Sequence, residues 1–127
     1  MTKITSYRDL IAWQKGMDLV VLAYRESSKL PSDERFGLSV QIRRCAVSVP
    51  SNIAEGWGRQ STQDYLRFLT IARGSVFELL TQAKICERLG YDGDWQEVTS
   101  SAEEVGRILH ALIRSIRKSS VPPPTDG

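Results

Sequence analysis

An all-α fold, an antiparallel up-down-up-down four-helix bundle, is predicted by three features of this sequence. Four long stretches repeat apolar residues every three or four positions, capping signatures mark their starts, and no segment alternates apolar and polar residues as a strand would. The 127 residues, 41% hydrophobic and 25% charged, suit one domain around one core. Connections between the stretches are short, which favours antiparallel neighbours. The bundle is expected over residues 1–118, with helices at about 7–29, 33–57, 62–89 and 95–118.

The first helix is expected to start after Ser6, whose hydroxyl can cap free amides while Asp9 completes a capping box. Leu10, Trp13, Met17, Val20, Val21 and Tyr24 recur at helical spacing and form its predicted core stripe. From Leu19 to Ala23 the helix is apolar all round, which suggests burial on a second side, as between subunits. Leu30-Pro31 ends it, because the residue before proline is pushed out of helical geometry, and Ser32 with Asp33, Glu34 and Arg35 reads as the next capped start.

In the second helix Leu38, Ile42, Cys45, Ala46, Val49 and Ile53 make the core stripe. Pro50 falls inside it, removing an amide donor and crowding the carbonyl of Ala46. A bend at Pro50 is expected rather than a break, since the apolar phase continues from Val49 to Ile53. Gly56-Trp57-Gly58 reads as the stop.

Ser61 to Asp64 repeats the capping pattern and opens the third helix, with Tyr65, Phe68, Leu69, Ala72, Val76, Leu79, Leu80, Ala83 and Cys86 as its stripe and Gly90 as a left-handed cap. Asp94 and Glu97 open the fourth, in which Val98, Ala102, Val105, Leu109, Leu112 and Ile116 alternate steps of four and three, the pattern of a bundle seam. Pro122-Pro123-Pro124 cannot continue a helix, so 119–127 is expected to be a flexible tail.

Several function classes lack their residues. His110 is the one histidine, and nothing pairs with it by spacing, so no catalytic triad, metal site or di-iron motif is expected, and no cofactor. Cys45 and Cys86 lie outside any Cys-x-x-Cys pattern and read as buried reduced thiols. The start of the chain is polar and no apolar run approaches bilayer length, so a cytoplasmic protein without membrane contact is expected.

The net charge of +2, from 17 basic and 15 acidic residues, is too even to announce a nucleic-acid partner by itself. Local segregation could still build a basic surface. Arg43, Arg44, Arg59, Arg67 and Arg73 are the candidate phosphate contacts, although Arg43 and Arg44 suit an ion pair or a subunit contact equally well. Arg114, Arg117 and Lys118 are better read as cations offsetting the dipole of the last helix.

The run from Gln41 to Arg59, QIRRCAVSVPSNIAEGWGR, resembles a segment of the four-helix-bundle proteins encoded in intervening sequences of bacterial large-subunit ribosomal RNA genes. Asp9 to Lys15, Arg35 to Leu38, Ala72 to Ser75 and Glu78-Leu79 add to the resemblance, which spans Tyr7 to Lys118. It implies a bundle that assembles as a ring of five subunits, with no established enzymatic activity. Similarity to accessory proteins of diversity-generating retroelements, basic barrels that bind nucleic acid and a reverse transcriptase, implies RNA or DNA binding or a scaffolding role for a protein partner. Within the motif, Pro50 would bend the helix while Ser51, Asn52 and Glu55 bond the backbone groups it frees, and Gly56 would close it.

Overall fold

The computed structural model describes residues 3–120 and contains four helices, with no strand among the described residues. They are α1 (Ile11–Ser27), α2 (Leu38–Trp57), α3 (Thr62–Arg88) and α4 (Trp95–Ser120). Each packs on the next and α4 closes back on α1. Cross-helix pairs fix the directions. Arg43 at the start of α2 meets Tyr24 and Ser27 at the end of α1, Gly56 at the end of α2 meets Phe68 near the start of α3, and Arg73 of α3 meets His110 late in α4. Lys15 pairs with Glu104 across α1 and α4, and Arg25 with Glu97. All four neighbours are therefore antiparallel, as the short connections predict.

α1 departs from its predicted start. The Ser6 capping box forms, with Asp9 Oδ2 accepting from the Ser6 amide at 3.1 Å, but it caps a single 3-10 turn, Tyr7–Asp9. Leu10 is extended at ψ 126 and buried, so α1 begins only after it, at Ile11 rather than at about 7. Burying Leu10 and stacking Tyr7 edge-on to Trp13, with centroids 5.3 Å apart, fix this kink.

The predicted phase of α1 is also corrected. Its core side is Ala12, Gly16, Leu19, Leu22 and Ala23, while Met17, Val21 and Tyr24 face outward and Trp13 and Val20 are half-buried. A segment apolar in every direction leaves the phase open, and the small residues decide it. Ala12, Gly16 and Ala23 let α1 approach its neighbours closely, with Pro50 of α2 seated against Gly16.

α2 likewise starts later than predicted. Ser32–Glu34 form a 3-10 turn, and the carboxylate of Glu34 reaches forward to accept from the Leu38 amide at 3.2 Å and from Tyr91 Oη at 2.8 Å. One side chain therefore caps α2 and ties it to the α3–α4 turn. From Leu38 the helix runs through Pro50 to Trp57 as one element. Asn52 Nδ2 donates to the Ser48 carbonyl at 2.7 Å rather than to the carbonyl that Pro50 frees on Ala46, and Glu55 pairs with Arg59 instead of the backbone. Ser51 lines a shallow groove with Trp13 and Val20. Gly56 serves less as a stop than as a contact point, since a Cβ there would lie 2.8 Å from Phe68 Cβ.

α3 and α4 follow their patterns most closely. Ser61 Oγ accepts from the Asp64 amide, Asp94 Oδ1 accepts from the Glu97 amide, and Gly90 at φ 71 closes α3 with its amide on the Glu87 carbonyl and the Tyr91 amide on Cys86. At the far end of α4 the seam shifts to Ile113, leaving Leu112 and Ile116 half-buried, and Trp95 joins the core at the near end. Ser119 and Ser120 extend α4 rather than start the tail, because Ser119 Oγ bonds the Ser115 carbonyl in helical register. The remainder of the expected tail, 121–127, lies outside the described residues.

Candidate nucleic-acid interface

The five arginines predicted to contact phosphate do not form one patch. Arg43 is committed to the fold: its Nε donates to Ser27 Oγ at 2.9 Å, and its guanidinium stacks 4.7 Å over the Tyr24 ring, covering the end of α1. Arg44, the next residue and about 100° further round α2, lines a cleft shared with α3. Arg59 and Arg67 come together at the α2–α3 turn, stacked at 4.8 and 5.0 Å on the Phe68 ring, each with a carboxylate nearby, Glu55 at 2.8 Å and Asp64 at 4.0 Å. Arg73 lies on the other side of α3, facing α4.

Around Arg73 the structure assembles a site that sequence spacing did not indicate. A shallow groove of about 750 Å³ between α3 and α4 is floored by Val76, Leu80 and Gly106. Arg73, Arg107 and His110 stand along it, with Glu103 at one end, and Arg73 Nη1 lies 3.4 Å from His110 Nδ1. Phe77, 59% exposed, offers a ring at its edge. Arg107 and His110 sit three apart on α4 and so share a face, but that face meets Arg73 only through the antiparallel pairing with α3. Groups of this kind hold a polyanion: guanidinium groups take phosphate and an exposed ring takes a base.

The buried titratable groups are structural. Glu26 is only 1% exposed, yet charged: Arg25 Nε and Lys29 Nζ each lie 2.8 Å from its oxygens, and the Asp94 amide donates to it at 2.6 Å. The hydrogen bonds from Arg25, Lys29 and Asp94 outweigh burial and hold its carboxyl at about 2, well under its usual 4.5. This clamp joins the end of α1 to the start of α4. A lone Glu followed by Ser-Ser-Lys gives no warning of it in the sequence. Burial pushes the Cys45 thiol up to about 12 and the Cys86 thiol to about 11, so neither is a ready nucleophile at neutral pH. Among the described residues no three His, Cys, Asp or Glu side chains gather as a metal site, and no helix is long and apolar enough to cross a membrane.

Comparison with known proteins agrees with this architecture. A crystal structure of a Bacteroides thetaiotaomicron protein of unknown function, from the S23 ribosomal protein family, superimposes with a TM-score of 0.75 at 22% identity, covering 82% of this chain and 96% of that one. At that identity the likeness establishes the fold alone. No curated protein matches the chain. The model of the 23S rRNA-intervening sequence protein family matches residues 8–111, and neither comparison points to a catalytic family. With most of its length inside that match, and with the bundle that its central motif leads one to expect, the chain belongs to the 23S rRNA-intervening sequence protein family.

Proposed function

We propose that this protein is a non-enzymatic, cytoplasmic homo-oligomer, a ring of five copies, that binds RNA through backbone phosphates with the α3–α4 groove as its main contact. The observation that carries the reading is the grouping of Arg73, Arg107 and His110 along an apolar floor beside the exposed Phe77. Single-stranded nucleic acid is held by this combination, cations tracking the phosphates and an aromatic face receiving a base. Arg59 and Arg67 extend the cationic surface toward the α2–α3 turn, whereas Arg43 is withdrawn from the set because it serves α1.

Self-association is supported by the opposite side of the molecule. Met17, Val21, Tyr24, Val40 and Val47 leave an exposed apolar stripe along α1 and α2, of the kind that another subunit covers. The same stripe favours a second reading, a structural adaptor that presents this face to a different protein and binds no nucleic acid. Titration of a labelled single-stranded RNA at several salt concentrations tests the first reading. Tight binding at low salt that weakens linearly on a log-log plot supports it, and absence of binding at low salt overturns it. Capture of a protein partner that survives nuclease treatment supports the adaptor.

A further inference from the structure

The segments that carry the family resemblance, Gln41 to Arg59 on one side and Ala72 to Ser75 with Glu78-Leu79 on the other, meet across α2 and α3 at a second, polar cleft of about 390 Å³. Its floor is internally satisfied. Ser48 Oγ and Ser75 Oγ are 2.8 Å apart, Asn52 Nδ2 donates to Ser48 Oγ at 2.9 Å, and Cys45 Sγ donates to the Ser75 carbonyl at 2.9 Å. Its rim is not. Arg44 and Glu78 stand on it without an ion pair to each other or to any other described residue. Glu78 takes only a long contact from Cys45 Sγ at 3.8 Å. Gln82, 9% exposed at the edge of the cleft, has its Oε1 buried without a partner, an arrangement relieved if the amide turns toward a donor in the cleft.

We infer that this cleft reads one unstacked guanine of a bound single-stranded RNA, a specificity site that rests on the RNA-binding reading above. A carboxylate such as that of Glu78 is best matched by two adjacent N–H donors, and among the four RNA bases only the N1–H and N2 amino group of guanine supply them on one edge. Adenine and cytosine place an acceptor nitrogen beside their single amino group, which the carboxylate repels, and uracil offers one N–H between two carbonyls. Arg44 matches the remaining acceptors, O6 and N7, as a forked donor. Gln82, once turned outward, accepts the second hydrogen of the N2 amino group. Bases of single-stranded RNA are splayed out and read on these edges. The cleft and the α3–α4 groove flank the same helix, so a strand crossing α3 reaches both.

Heptamers of uridine carrying guanosine, inosine or adenosine at the centre test this by fluorescence anisotropy. The guanosine heptamer is expected to bind about tenfold tighter than the adenosine one, as for one well-made base contact. Inosine, which lacks the N2 amino group, falls between them. Glu78→Gln should reduce that preference, in part by strengthening the binding of the adenosine heptamer as the repulsion is lifted, and Gln82→Leu should separately reduce it by weakening the guanosine heptamer. Equal affinity for all three heptamers overturns the guanine site and leaves RNA binding standing, as does a preference that survives Glu78→Gln. Failure to bind any heptamer at low salt overturns both.

Discussion

Two outer faces of one bundle differ in the side chains that line them. Along α1 and α2 the exposed apolar residues include Met17, Val21, Tyr24, Val40 and Val47, and the cation beside them, Arg43, is folded onto Tyr24 and Ser27. Along α3 and α4 the apolar floor is bordered by Arg73, Arg107 and His110. A dry face gains by covering itself with another protein surface, because burying apolar area contributes roughly 25 cal/mol per Å². A face whose arginines outnumber its carboxylates, here Arg73 and Arg107 against Glu103, gains by taking an anion. The arginine that would blur this distinction, Arg43, is held against Tyr24 and Ser27 rather than directed outward.

The largest expected effect tests the dry face. Met17→Glu with Val21→Glu places two carboxylates on the α1–α2 stripe without touching the core. Light scattering should show the assembly replaced by monomer while circular dichroism keeps the helical signal. An unchanged oligomer mass would assign the stripe to another role. The next effect tests the cationic face. Arg73→Gln with Arg107→Gln should weaken single-stranded RNA binding by about tenfold or more and make the salt slope shallower by about 0.7 for each phosphate no longer neutralised, with the oligomer mass unchanged.

Helices α3 and α4 are more legible in the sequence because their apolar stripes repeat at helical spacing, so periodicity selects most of their core, although α3 also exposes Ile71, Phe77 and Ile85 and the α4 seam ends on Ile113. α1 is less so. Its run from Leu19 to Ala23 satisfies several phases, and the phase is set by what cannot be read along the chain: how near Gly16 and Ala12 let α1 come to Pro50 and its other neighbours. Within that run Val21 is left 66% exposed, on the face that the proposed subunit contact would cover. The arginine candidates show a similar limit. Residue type marks Arg43 and Arg73 alike, but only the tertiary pairing assigns one to Tyr24 and the other to a groove with Arg107 and His110. Glu26 is invisible in the sequence for the same reason, since its partner amide on Asp94 is 68 residues away.

Glu26 sits apart from both faces and serves as a control for them. Glu26→Gln should cost about 1–3 kcal/mol in urea unfolding, the range for a buried donor left poorly paired, without altering RNA affinity. The pH dependence has a definite sign. A carboxyl held at about 2 when folded, against 4.5 ordinarily, contributes its full stability above about pH 4.5 and loses it as pH falls toward 2. The wild-type protein should therefore lose stability across that window more steeply than Glu26→Gln. The smallest effect concerns the bend expected in α2. Pro50→Ala restores an amide donor to the helix, and it should shift the oligomer distribution more than the melting temperature, with no change of either sinking the idea that the proline shapes the assembly.

The division of faces is tested most directly by photo-crosslinking RNA that carries 4-thiouridine to the assembled protein and mapping the attached residues by mass spectrometry. Cross-links to Phe77, His110 and their neighbours on α3 and α4, with Trp13, Met17 and Tyr24 unlabelled, are the predicted result. Labelling concentrated on the α1–α2 stripe would contradict it.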